Sequence, residues 1–485
     1  MQAPAWLKEA IFYQIMPDRF RRGSPAGSSS MDLMAWDAAP GSSRNGGREY
    51  FGGNLRGITE RLDHIRELGA NAILLTPVNA APSYHRYDTT DHRQLDPLLG
   101  TWDDLAELIS AVHARGMRIV FDTALNHVSQ HHPWFERARR DPAAPERSWF
   151  TFHEDGSYRC WWGHAGLPEL RLDDPRLVEE LITGEDSVLA FWLKKGFDGV
   201  RLDCANDLSL QTCALISYTI KSRFPDAAVI GEVANYAVPW LKGLDAAQSY
   251  FFTTSLKALQ HGGITAGQFQ ENLRLAYGGG ALRQFQMLSS HDIPRAHTEF
   301  AKDEAFHIAA RRLQFTLPGI PMLYYGEEFG LEGGRDPKNR ATIPWETSAS
   351  RLKNPISQEI RRLAALRSAS PELQHGLWEP LCVAGRDGLV AFFRALPEAP
   401  DRLTVVVWNL LDEARTITLT IPWGWLFSEL VLEEVSTHKR GVSNAGLVPF
   451  ALQPRECSIW QLRADHKRNY TFFKDWRRPA GAVRG

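Results

Sequence analysis

Four short segments of this 485-residue chain run apolar and then end in groups able to move protons or hold charge. RIVFDTALNH carries Asp122, Asn126 and His127; GFDGVRLD ends in Arg201 and Asp203; AAVIGEV carries Glu232; QFQMLSSHD ends in His291 and Asp292. Any one carboxylate at a strand end is equally well a helix N-cap or a surface residue. Together these carboxylates, with an arginine and two histidines, converge from four strands and form a polar cluster that is costly without a function.

Two carboxyl groups in different protonation states suffice to break a glycosidic bond, one protonating the leaving oxygen and the other stabilising an oxocarbenium-like centre. Retention of configuration needs them about 5–5.5 Å apart. Neighbouring strands lie roughly 4.8 Å apart, so Asp203 and Glu232, ending consecutive strands, are compatible with that spacing. Arg201 lies two residues before Asp203 and therefore on the same strand face, where its charge favours an ionised carboxylate; a core ion pair is the alternative reading. Glu232 needs apolar surroundings or a nearby anion to keep its proton near neutrality, and Asp292 is a candidate for that anion.

Such groups meet only if the strand ends share one face, which is what a parallel barrel provides. Residues 10–345 alternate short apolar runs with amphipathic helical stretches. Eight strands are predicted: AIFYQIMP, NAILLTP, RIVFDTALNH, GFDGVRLD, AAVIGEV, SYFFTT, QFQMLSSHD and PMLYYGEEF. The fold class is thus α/β, a (β/α)8 TIM barrel over 1–127 and 183–375. The segment 128–182 is too long and aromatic for a simple connection and reads as an inserted subdomain. From 376 to 463 the texture changes to alternating β-type segments (LVAFFRA, LTVVVWNL, ARTITLTI), which predict a C-terminal β-sandwich. Residues 464–485 form a basic, aromatic tail, read as frayed or docked rather than as a nucleic-acid arm.

A hydrophobic content of 44% and a charged content of 23% are those of an ordinary globular protein and argue against disorder or a membrane protein. The net charge of -2 offers no field for nucleic acid or acidic membranes, so a neutral partner is expected. Cys160, Cys204, Cys213, Cys382 and Cys457 are odd in number and scattered, as suits reduced thiols. With no secretion signal visible at the N-terminus, a cytoplasmic address is expected. Oligomeric state is not legible.

The same segments resemble, in order, those of the α-amylase family, glycoside hydrolase family 13, over residues 10–463. DTALNH is similar to that family's third-strand motif, GFDGVRLD to its nucleophile motif, VIGEV to its acid/base motif and SSHD to the motif of its third acid. The resemblance implies Asp203 as nucleophile, Glu232 as acid/base and Asp292 as transition-state stabiliser. It also implies sugar contacts from His127, Arg201 and His291, a ring stacked by Tyr87, and a late-barrel binding pair in Asp336 and Arg340. No cofactor is implied. Asn126 matches a position that ligates structural calcium in many relatives, but the early loop Gly23 to Gly47 lacks an evident run of ligands and no metal is assigned.

Within the family, HRYDTTDH, VRLDCAND and WWGHAGLPEL look most like the cyclomaltodextrinase, neopullulanase and maltogenic amylase group. Three departures stand out: the first strand begins near residue 10, without that group's N-terminal domain; Ala234 replaces a tryptophan common after the acid/base; and the insert reads Pro168-Glu169-Leu170-Arg171. Hydrolysis of α-1,4 bonds in maltooligosaccharides or cyclodextrins is the expectation. The rivals are transfer to a sugar, as in glucanotransferases and trehalose- or sucrose-type relatives, and non-catalytic carbohydrate binding. Trp161 and Trp162 read either as stacking platforms or as the insert's own core.

Overall fold

The computed structural model describes residues 3–24, 32–42, 49–234, 236–278, 283–300, 303–383, 387–422 and 430–463. The tail from 464, and residues 25–31 and 43–48 of the early loop, lie outside them. The chain divides into two compact units, one of residues 1–250, 283–299 and 320–361, the other of 251–282, 300–319 and 362–485.

The first unit contains eight parallel strands: β1 (Phe12–Ile15), β2 (Ala72–Leu75), β3 (Arg118–Thr123), β4 (Gly199–Leu202), β5 (Ala228–Val233), β6 (Ala246–Ser249), β7 (Phe285–Met287) and β8 (Ile320–Tyr324). They are hydrogen-bonded in the order β6-β5-β4-β3-β2-β1-β8-β7. A parallel bridge between Ala247 and Gln284 joins the two ends and closes the ring. The TIM barrel expected from the sequence is present.

Side chains two apart along a strand share a face, and here that rule stratifies the barrel interior. Its lower layers are apolar, with Phe12, Ala72, Val120, Ala228, Ala246, Phe285 and Ile320 in one buried cluster, floored by Leu7 and Ala10. One step further along the same strands the inward positions turn polar: Gln14, Asp122, Arg201, then Asp203, Glu232 and Gln248. The apolar layers hold the ring together, and the polar layer sits at the C-terminal strand ends. The approach to β3 shows how local sequence fixes such a strand. Helix α1 (Trp102–Ala114) starts at a capping box between Thr101 and Asp104 and buries Leu105, Leu108, Ile109 and Val112 at helical spacing.

One predicted strand is corrected. SYFFTT is not the sixth strand; that strand is the preceding Ala-Ala-Gln-Ser, and Phe251–Gln260 is a helix. Phe252, Ser255 and Leu256 are buried at a helical period. The barrel wall at β6 takes small residues that lack the β-branched or aromatic character by which strands are recognised.

Between β3 and β4 the chain forms a helix at Pro133–Arg140 and several short helical turns. Its aromatic core is Phe135 packed on Phe150, Phe152 and Tyr158, with ring centroids 4.7–5.9 Å from Phe135.

The second unit carries the C-terminal β-sandwich. Strands β9 (Leu377–Pro380), β10 (Leu389–Leu396), β11 (Ala399–Asn409), β12 (Arg415–Thr420), β13 (Val431–Glu434), β14 (Arg440–Val442), β15 (Leu447–Leu452) and β16 (Cys457–Arg463) form a six-stranded sheet, β9-β10-β11-β16-β13-β14, and a two-stranded sheet, β12-β15. Alternate residues of both sheets, including Phe393, Val405, Leu419, Phe450 and Trp460, make one buried core.

Candidate active site

Arg201 organises the polar layer. It is fully buried, and its Nη1 lies 2.9 Å from Asp122 Oδ1 and 2.8 Å from Asp203 Oδ1, while Nη2 lies 2.9 Å from Glu232 Oε2. Its Nε donates to Gln248 Oε1 at 3.0 Å. One guanidinium thus faces three carboxyl groups from β3, β4 and β5. Burial works against its charge, but Asp122, Glu232 and Asp203 overcome that and hold it well above its ordinary value. Gly231 is what lets Glu232 stand here: a Cβ on it would lie 2.8 Å from the Ala205 Cβ.

The same arithmetic works against the carboxylates. Burial pushes Asp122 up to about 6, despite Arg201 and the Tyr87 hydroxyl. Burial, Glu232 and Asp122 push Asp203 above the usual carboxylate range against the opposing pull of Arg201. Carboxyl groups crowded around one cation do not ionise cheaply, and for Asp122 and Asp203 burial outweighs the pull of Arg201. Arg201 pulls Asp203 toward its ionised form, as the strand pattern implied, while burial and the neighbouring carboxyl groups oppose it.

On the opposite wall, the Tyr87 hydroxyl donates to Asp122 Oδ2 at 2.8 Å and lies 2.8 Å from His291 Nε2. The two rings are stacked, 5.3 Å apart and 7° from parallel. Gln14 Nε2 lies 3.2 Å from His291 Nδ1. An amide donor there and the Tyr87 oxygen at Nε2 assign a neutral imidazole carrying its proton on Nε2. Burial and the nearby Arg340 and Arg201 push His291 well below its ordinary value, consistent with that form.

His291 Nε2 also faces Asp292 Oδ2 at 3.2 Å, and Arg340 approaches Asp292 Oδ1 at 3.6 Å and Asp336 Oδ1 at 3.1 Å. Eight of the nine residues singled out from sequence therefore share one contact network. Among the described residues, His127 shares no side-chain hydrogen bond with that network; it is buried, with its ring 5.3 Å from Trp161. Burial pushes it down to about 4 against a hydrogen bond with the Tyr87 backbone, so it is neutral.

Several participants were not foreseen. The Tyr250 hydroxyl donates to Glu232 Oε1 at 2.8 Å and lies 3.1 Å from Asp292 Oδ2, tying the second and third acids together. The Cys204 amide donates to Glu232 Oε2 at 3.1 Å and its thiol to Asp203 Oδ2 at 3.2 Å. Gln248 and Tyr250 obey the two-residue alternation used for Arg201 and Asp203, and a correct sixth strand would have exposed them.

Asp203, Cys204 and Glu232 place metal-type ligand atoms within 4.8 Å of one another. Burial and the two carboxylates hold the Cys204 thiol protonated, and Arg201 already occupies the centre, so the donor set does not suit a cation. Asn126 lines a cavity of about 360 Å3 with Glu169, Asp173 and Asp207. Arg159 and Arg171, in the same wall, pair with Glu169 and Asp173. Two of the carboxylates a calcium ion would need are thus already neutralised.

A closed parallel barrel with three acids at its C-terminal strand ends defines a class, and the comparison with known families names it. The profile of the α-amylase catalytic domain matches residues 14–366. The chain belongs to the α-amylase family and is a glycoside hydrolase. It is 32% identical to the intracellular maltogenic amylase of Bacillus subtilis over 433 residues, covering 86% of this chain and 71% of that one. It is 33% identical over 426 residues to a cyclomaltodextrinase of a Bacillus species, covering 84% and 74%. Among solved structures, the cyclic α-maltosyl-(1→6)-maltose hydrolase of Arthrobacter globiformis superposes with a TM-score of 0.78 at 28% identity, covering 93% of this chain and 100% of that one.

Proposed function

We propose that this chain cleaves α-1,4-glucosidic bonds of maltooligosaccharides, cyclodextrins or related α-glucans with retention of configuration. The observation that carries the reading is spacing: a carboxylate oxygen of Asp203 and one of Glu232 lie within 4.8 Å of each other. Retaining enzymes hold their pair about 5–5.5 Å apart, whereas inverting ones leave roughly 6.5–9.5 Å for a water.

Asp203 attacks the anomeric carbon while Glu232 delivers its proton to the departing oxygen; water, deprotonated by Glu232, then releases the sugar from Asp203. The reaction calls for a proton on Glu232 and an ionised Asp203. Tyr250, donating to Glu232, and the Cys204 amide orient that carboxyl. Asp292, Arg340 and Asp336 hold sugar hydroxyls, Tyr87 lies under the ring, and His127 and His291 offer neutral imidazoles to hydroxyl groups. Two carboxyl groups and a water balance this reaction, so it requires no cofactor or metal.

An oligosaccharide ligand agrees with the solved Arthrobacter hydrolase, which has been captured with cyclic maltosyl-maltose and with maltose. A cytoplasmic address agrees with two Bacillus relatives named intracellular. No helix among the described residues is long and apolar enough to cross a membrane.

The test is Asp203→Asn on maltotriose and β-cyclodextrin, with the first-formed anomer followed by NMR. The expected result is an α-anomer from the native enzyme and at least a roughly thousandfold loss in the variant. Activity near the native level, or a β-anomer released first, would overturn the reading.

A further inference from the structure

We propose that Trp162 is the platform for the glucose residue on the leaving-group side of the cleaved bond. The inference rests on the reading of Glu232 as the acid that protonates the leaving oxygen.

That acid fixes the side of the cleft. The sugar that departs lies next to Glu232, so the elements flanking it are those that run on from β4 and β5. Running on from β5, Ala234 is exposed and brings only a methyl group. Its amide donates to Asn206 Oδ1 at 3.4 Å, Asn206 Nδ2 donates to Asp207 Oδ1 at 2.9 Å, and Trp161 Nε1 donates to Asp207 Oδ2 at 3.0 Å. This chain of contacts leads from the acid/base strand to the tryptophan pair of the insert.

Neither tryptophan belongs to the insert's aromatic core, which is built on Phe135. Trp161 is half-buried and packs on His127 and, at 5.9 Å, on His164. Trp162 follows, its ring 6.1 Å from that of Trp161 and 78% of its surface exposed. Its backbone is left-handed, with φ 49° and ψ 29°. A large apolar ring left in water and a strained backbone are two costs at one residue, and among the described residues its one ring contact is with Trp161. A sugar ring offset against the indole supplies the missing contact, since its C–H face is apolar and its hydroxyls stay at the rim. The ligand class is an α-linked glucose unit, either the leaving part of the substrate or a sugar acceptor.

The test compares a substrate that fills this position with one that cannot. Maltotetraose places glucose there; α-maltosyl fluoride, whose leaving group is fluoride, does not. For Trp162→Ala, kcat/KM on maltotetraose is expected to fall roughly three- to tenfold, chiefly through KM, with release of fluoride unchanged and Trp162→Phe restoring most of the loss. Trp162→Gly, relieved of the backbone strain, should melt no lower than the native protein while losing maltotetraose activity like the alanine variant. Equal loss on both substrates, or no loss on maltotetraose, would overturn the proposal. The acid pair is judged separately, by whether Asp203→Asn abolishes fluoride release.

Discussion

The crowding of three carboxyl groups around Arg201 is the residue-scale feature that bears most on the proposed chemistry. Asp122 is not assigned to the chemistry, yet its charge raises the proton affinity of Asp203. Removing a neighbouring anion lowers the pKa of Asp203, the group that must be ionised to attack. Asp122→Asn is therefore expected to shift the acid limb of the kcat/KM profile toward lower pH by roughly one unit, besides lowering kcat. A pH–rate series on maltotriose checks this; an unmoved limb would show that Asp122 does not tune the pair. The residues legible in sequence were those whose strands announced themselves. Tyr250 escaped because its strand is composed of Ala246, Ala247, Gln248 and Ser249, and Cys204 because its place in the VRLDCAND segment gave no sign that its amide and thiol reach two carboxyl groups. The role of Arg201 was half legible, since its position could be read but its division among three carboxyl groups could not.

At the scale of elements, the barrel was legible because short apolar runs alternate with amphipathic helical stretches, and the sandwich because its strands alternate with period two. SYFFTT misled because aromatic and β-branched residues suit a strand, whereas the burial of Phe252 and Leu256 follows a helix. The packing of the insert on the strand Asp91–Leu95 holds a different kind of information. His92 and His132 are buried with rings 5.3 Å apart, and Trp134 lies against both. Burial pushes His92 down to about 4 and His132 to about 2. Both stay neutral in the native state while the unfolded chain takes up protons below about 6.5. The stability they allow is full above that value and is lost as pH falls toward 4, by about 1.4 kcal/mol per unit and histidine. His132→Asn keeps an N-cap acceptor for the Trp134 amide, which His132 Nδ1 meets at 3.2 Å. Unfolding free energies measured between about pH 6.5 and 4.5 should then fall less steeply, by one proton's worth; an unchanged slope would place the acid sensitivity elsewhere.

For the whole molecule, a net charge of -2 and a site whose cations are already paired with carboxylates leave no long-range pull on a ligand. A neutral glucan then binds without electrostatic steering. KM for maltotriose is expected to change by less than about twofold between low salt and roughly 0.5 M NaCl. A steep rise with salt in steady-state assays would point to a charged substrate instead.

The order of strands around the ring bears on how the protein is made. β1 lies between β2 and β8, and β8 ends at Tyr324. On the ribosome, Phe12 finds its first neighbour once Ala72 emerges, but its other edge waits for Met322. At ordinary elongation rates that interval is roughly ten to fifty seconds. During it the growing sheet is an open ribbon with unsatisfied backbone along one side, a template for wrong partners. The polar layer shares the wait, since Arg201 and its carboxyl groups gain their enclosing wall only when the last strands arrive. The nascent chain is thus a natural client for a holding chaperone until the circle shuts.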